Sequence, residues 1–129
     1  MEEYNDCVSN VVFYYEDGSK EYLRNGLKHR IGGPAVMKPY GRKEWWVDGL
    51  LHKENGPAII YFDYSDDVGY TINEEWFKHG KRHRKDGPAV ILSNGNQEWW
   101  IDGQRHRNDG PASIVNGNRE WWIRGTRIN

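Results

Sequence analysis

Apolar and polar positions along the chain fall into short runs that recur, with no sustained helical period. From Gly87 to Arg107 the run is Gly-Pro-Ala, an apolar strand at Val90 to Leu92, and a turn at Asn94-Gly95. A second strand from Gln97 to Ile101, a turn at Asp102-Gly103 and the segment Gln104 to Arg107 complete it. Asn-Gly and Asp-Gly supply the positive φ that tight hairpin turns require. Asp17-Gly18, Asn94-Gly95 and Asn116-Gly117 are therefore expected to close hairpins. Asn25-Gly26, Asp48-Gly49 and Asp102-Gly103 are expected to turn the chain after the aromatic strand. A proline that follows a turn glycine can open a strand without removing a donor from its middle.

The same run recurs along the chain. Glu44-Trp45-Trp46 returns as Glu75-Trp76-Phe77, Glu98-Trp99-Trp100 and Glu120-Trp121-Trp122, with Glu21-Tyr22-Leu23 as a weaker first copy. A glycine follows each triplet (Gly26, Gly49, Gly80, Gly103, Gly125), and then a histidine (His29, His52, His83, His106); Ile128 replaces it in the last copy. Successive Gly-Pro-Ala prolines, Pro34, Pro57, Pro88 and Pro111, lie 23, 31 and 23 residues apart. The unit is therefore 23 residues, and one copy carries eight more. One hairpin is marginal alone, but stacked neighbours bury its rings. The expected fold is all-β: a single-layer antiparallel sheet of about five stacked hairpins over residues 11–129, after a tail at 1–10.

Composition narrows this further. Trp and Tyr supply fifteen of the eighteen aromatics, which suits strands more than helices. With one cysteine, Cys7, no internal disulfide can form, which fits a reducing compartment. No stretch reaches the length of a membrane span, so a soluble cytoplasmic protein is expected. Residues 1–75 carry a net −6 and residues 76–129 a net +5. With pI about 6.5 overall, the balance argues against a nucleic acid partner, despite the basic run Lys81 to Lys85.

The period, the aromatic strand, the Asp-Gly after it and the histidine three residues on together resemble MORN repeats, in a divergent variant. The resemblance runs from about Val11 onward. Trp46, Phe77, Trp100 and Trp122 stand where that family places its tryptophan. This chain has Glu-Trp-Trp in place of the family's Tyr-x-Gly-x-Trp, and Arg or Lys then Gly-Pro-Ala in place of glycines after the histidine. The resemblance implies a hairpin array acting in protein–protein association. It also implies relatives among large viruses, phages and bacteria, some of them similar to antitoxin or immunity proteins.

Candidate sites follow from what repeats and what does not. Adjacent strand residues face opposite ways. Tyr22, Trp45, Trp76, Trp99 and Trp121 should thus form one ladder, and Leu23, Trp46, Phe77, Trp100 and Trp122 another. Trp46, Phe77, Trp100 and Trp122 are a candidate binding face, unless Arg and Lys stems cover both ladders. Equivalent histidines two strands apart are about 10 Å distant, too far to share zinc at about 2 Å, so no metal is expected. A structural role is expected for them, such as a hydrogen bond to a ladder glutamate. A carboxylate repeated in every copy points to cross-strand pairing more than to a unique catalytic site. No nucleophile elbow, phosphate loop or cofactor motif is present.

The copy that breaks the period is the natural place for function. Residues 59–73 are predicted to form a longer hairpin turning at 65–69, with the insertion around 61–72. It would carry Tyr61, Phe62, Tyr64, Asp66, Asp67 and Tyr70, a composition suited to protein contact. The expected function is a non-enzymatic protein-binding module, a scaffold or an inhibitor of its partner. The alternative is a ligand module with an aromatic groove for a nucleotide- or sugar-like molecule. A weak dimer is expected at the C-terminal repeat, near Trp121 and Trp122.

Overall fold

The computed structural model describes residues 10–129; most of the expected tail, with Cys7, lies outside the described residues. The first repeat contributes β1 (Asn10–Tyr14), β2 (Lys20–Arg24) and β3 (Leu27–Lys28). The second contributes β4 (Val36–Met37), β5 (Lys43–Glu44), β6 (Trp46–Val47) and β7 (Leu50–Leu51). The third holds β8 (Ile59–Ser65), β9 (Gly69–Glu75), β10 (Phe77–Lys78) and β11 (Lys81–Arg82). In the fourth are β12 (Val90–Ile91), β13 (Gln97–Glu98), β14 (Trp100–Ile101) and β15 (Gln104–Arg105). The fifth contributes β16 (Ser113–Val115), β17 (Asn118–Glu120), β18 (Trp122–Ile123) and β19 (Thr126–Arg127). The fold is all-β and antiparallel.

Each repeat makes two hairpins. The first hairpins join edge to edge in the order β1-β2-β4-β5-β8-β9-β12-β13-β16-β17, with β3 on β2. The register repeats: Glu21, Glu44, Glu75 and Glu98 each face the opening strand of the next copy, at Val36, Ile59, Val90 and Ser113. The second hairpins, β6–β7, β10–β11, β14–β15 and β18–β19, stand in a row beside this sheet. The aromatic strand therefore does not run unbroken from Gln97 to Ile101. It is interrupted for one residue at Trp45, Trp76, Trp99 and Trp121. At the break the Trp99 N–H donates to Ala112 of the next repeat at 2.7 Å, and its carbonyl accepts from His106 at 3.1 Å.

The turns follow the expected chemistry. Asn25, Asp48 and Asp102 adopt φ near +50° before their glycines, and so do His79 and Arg124. Successive second hairpins are bonded sideways, Gly49 N–H to Lys28, Gly80 to Leu51, Gly103 to Arg82 and Gly125 to Arg105.

The core is thin. Ala35, Ala58, Ala89 and Ala112 have no exposure, and Val36, Ile59 and Val90 complete the buried apolar set. A small side chain after each proline lets consecutive repeats abut closely.

Candidate functional site

Both aromatic ladders are half-buried, and both are clothed by cations. On the first, Arg30 stacks on Tyr22 at 4.0 Å, Lys53 on Trp45, Arg84 on Trp76 and Arg107 on Trp99, the last three at 3.9 Å. Each such contact contributes about 0.5–2 kcal/mol, more as the cation loses water. The guanidinium is held on its other side by the Gly-Pro-Ala turn. A Cβ on Gly110 would stand 2.7 Å from Arg107 Cζ, and one on Gly87 would stand 2.9 Å from Arg84 Cζ. Arg107 also donates to the Pro111 carbonyl and pairs with Asp109 at 3.1 Å. The glycine of Gly-Pro-Ala thus leaves room for the cation that covers the ring.

On the second ladder each indole donates to the glutamate two residues before it: Trp46 to Glu44, Trp100 to Glu98 and Trp122 to Glu120, at 2.8–3.0 Å. Arg82 lies between Phe77 and Trp100, and Arg105 between Trp100 and Trp122, at 5.1–5.6 Å from the ring centres. The same arginines pair with Glu75 at 3.0 Å and Glu98 at 3.7 Å. Their Nε–H groups are buried without an acceptor among the described residues, a cost set against the ring contacts. With Lys28 over Trp46 at 4.8 Å, the candidate face Trp46, Phe77, Trp100 and Trp122 is a zipper of rings and cations, not a bare stripe.

The histidines link repeats by a contact other than a ladder glutamate. Nδ1 of His29, His52, His83 and His106 accepts the turn N–H of Asp48, His79, Asp102 and Arg124 in the following repeat, at 2.9–3.0 Å. A nitrogen that accepts carries no proton. The Asp48 and Asp102 carboxylates 3.3 Å away are therefore neighbours of an acceptor, not ion-pair partners. His52 donates from Nε2 to Glu54 at 2.6 Å, and its ring lies 4.4 Å from that of His79. The bond from His52, with the Lys78 charge, holds the Glu54 carboxyl below its ordinary value. Among the described residues no group of three or more His, Cys, Asp or Glu is placed to hold a metal ion.

The long hairpin is different. It pairs from Ile59 with Glu75 out to Ser65 with Gly69, turning through Asp66, Asp67 and Val68. Flanking strands reach only its base: β5 at Ile59 and Ile60, β12 at Glu74 and Glu75. Comparison with known families, curated proteins and solved structures finds no match to the chain. The geometry of this hairpin must therefore carry the functional argument.

Register and alternation place Phe62 opposite Ile72 and Tyr64 opposite Tyr70, all on one face. Their exposures are 40% for Phe62, 62% for Tyr64, 67% for Tyr70 and 46% for Ile72. The Tyr64 and Tyr70 rings touch, with centres 4.9 Å apart. Tyr40, 86% exposed, belongs to the 3-10 turn Pro39–Gly41, whose Gly41 leaves space for the Phe62 ring: a Cβ there would stand 3.0 Å from it. Asp66 and Asp67 are exposed at the tip and have no side-chain partner among the described residues.

Tyr61 does not belong to this surface. It faces the other way, half-buried, with Arg42 over its ring at 5.1 Å, and its hydroxyl donates to Glu75 at 3.3 Å. Burial, then the Glu75 charge, pushes that hydroxyl's pKa up. On the same side the buried Asn73 accepts the Ser93 N–H at 2.8 Å and donates to Asp63 at 3.1 Å, while the Ser93 hydroxyl donates to Asp63 at 2.8 Å. These bonds, Ser93 first, lower the Asp63 pKa. Tyr40 and Ile72 were absent from the sequence-based candidates. Ile72 follows from alternation with Tyr70, and Tyr40 from a Pro-Tyr-Gly turn beside the strand.

Proposed function

We propose that the protein is a non-enzymatic binding module that docks on another protein through the outer face of its long hairpin. The observation that carries this is the contiguous exposed set Phe62, Tyr64, Tyr70 and Ile72, with Tyr40 beside it. It occurs on the one hairpin that outgrows its neighbours. Aromatic anchors of this kind dominate protein interfaces. The exposed Asp66 and Asp67 at the rim suit a partner with an apolar patch bordered by basic side chains. The reading of the array as a divergent MORN-type scaffold, or as an inhibitor in the manner of immunity proteins, agrees with this division between structural repeats and one projecting element.

A small-ligand reading draws on an open cleft of about 980 Å³ between the turns at Arg84 to Pro88 and Arg107 to Asp109. Its Trp99 ring is already occupied by Arg107 at 3.9 Å, which leaves no bare ring for stacking. Protein docking is therefore favoured. The test is affinity capture from host-cell extract with the wild type and with a Phe62→Ser, Tyr64→Ser, Tyr70→Ser variant. A partner retained by the first and lost by the second is expected. A partner held equally by both would overturn the assignment.

A further inference from the structure

The two ends of the main sheet are built differently. In each of the first four repeats the first aromatic residue after the glutamate donates its N–H to the alanine of the next repeat: Tyr22 to Ala35, Trp45 to Ala58, Trp76 to Ala89 and Trp99 to Ala112. The Trp121 N–H donates instead to the side chain of Asn129 at 3.1 Å. The C-terminal edge strand β17 is the polar run Asn118-Arg119-Glu120. A two-fold pairing centred there would set Arg119 against its own copy. The end expected from sequence to mediate a dimer is thus capped and self-repelling.

The N-terminal edge is the reverse. β1 contains no charged residue, and all five of its side chains are exposed, Val11 41%, Val12 37%, Phe13 50% and Tyr14 74% among them. Tyr15 donates to the Ser19 carbonyl, and antiparallel pairs alternate between bonded and unbonded. Val11 and Phe13 therefore spend their backbone groups on β2, while Asn10, Val12 and Tyr14 turn theirs outward. No described residue pairs with that outer edge. Such an edge is a template for another strand.

We propose that β1 is a homodimerisation edge, pairing antiparallel with β1 of a second copy about a two-fold axis through Val12. This register sets Val12 against Val12, Val11 against Phe13 and Asn10 against Tyr14. Alternation keeps the apolar pairs on matching faces, and no like charges meet. A second copy fits better than a head-to-tail neighbour for a steric reason. Val12 holds the register position of Ala35, Ala58, Ala89 and Ala112, which have no exposure where one repeat abuts the next. A valine there does not fit the inner junction, and the Asn129 side chain already takes the Trp121 N–H that such a junction would use. The closed two-fold contact stops at a dimer. With five residues from each chain, the contact is small and the dimer concentration-dependent.

Sedimentation equilibrium on the full chain tests this. The expected weight-average mass rises with concentration from 15.2 kDa toward twice that value, with little effect of salt. The Val12 amide should exchange more slowly at high concentration. Val12→Pro removes an outward donor without touching the inner ladder, and Val12→Lys sets two cations face to face; both should give monomers with an unchanged circular dichroism spectrum. Arg119→Glu, at the other edge, should leave the dimer intact. A wild type monomeric at every concentration would overturn the proposal. So would a dimer that survives in whichever Val12 variant folds, or salt-sensitive growth beyond two copies.

Discussion

The fourth repeat's hairpin and the third's use the same rules to different ends. In β12–β13 the chain turns back at once through Ser93-Asn94-Gly95, and both strands lie between neighbours, β9 on one side and β16 on the other. In β8–β9 the inner pairs Ile59–Glu75 and Ile60–Glu74 are flanked in the same way, but five further pairs run outward without strand neighbours. The inner portion is absorbed by the array. The outer portion is braced on one face by Asn73, Asp63 and Tyr61 and left bare on the other. A repeat protein can thus lengthen one hairpin beyond its neighbours and gain an apolar surface while the stacking register stays the same.

The comparison can be broken at several points. The largest effect is expected at the stacked rings. Trp99→Ala removes a half-buried indole and strands Arg107, and should cost about 2 kcal/mol, near half of the ~3–5 kcal/mol for a fully buried ring. A denaturation midpoint shifted no further than that of a surface variant would contradict the packing role of this ladder.

Next is the bracing of the long hairpin. Asn73→Ala leaves the Ser93 N–H without its acceptor and should cost about 1–3 kcal/mol. Asn96 makes the equivalent bond to the Asn116 N–H at 2.9 Å, but that bond is exposed, so Asn96→Ala should cost less. A loss at Asn96 as large as at Asn73 would mean that Asn73 does not brace the long hairpin beyond the shared bond.

The inter-repeat histidine bond comes third. His83→Ala removes the acceptor of the Asp102 turn amide, an exposed bond, and about 0.5–1.5 kcal/mol should be lost. The smallest effect is electrostatic. Asp63 has its pKa lowered in the folded state, so its contribution is present above the ordinary carboxylate pKa and fades as pH falls through the lowered value. The stability difference between wild type and Asp63→Asn should therefore shrink toward acid pH. A difference that grows on acidification would reverse the sign.

Much of this was legible beforehand because turn chemistry is local. Asn94-Gly95, Asn116-Gly117 and the proline spacings locate the first hairpins, and the eight-residue excess locates the long one. Contacts between copies were not legible. The lateral offset of one repeat against the next decides that His83 reaches a turn amide and not a glutamate, and residue order carries no such offset. The break at Trp99 was hidden for the same reason, since it forms where two neighbours claim its backbone groups. Gly-Pro-Ala is legible in the sequence as a strand opener, but its second use, making room for a cation over a ring, needs the Arg107 and Gly110 positions together. The separation of Tyr61 from Phe62 and Tyr64 was legible too, because strict alternation already turns it to the other face of the hairpin.

The claim that the array is structural and the outer hairpin is an addition to it is tested most directly by removing the addition. Residues 62–72 would be replaced by Ser-Asn-Gly, the turn used at 93–95, which shortens the chain by the eight-residue excess and keeps Asn73. The denaturant unfolding free energy of this variant should fall within about 1 kcal/mol of the wild type's, since an exposed loop extension contributes little to stability. A chain that unfolds, or loses several kcal/mol, would place the long hairpin in the structural core and contradict the account.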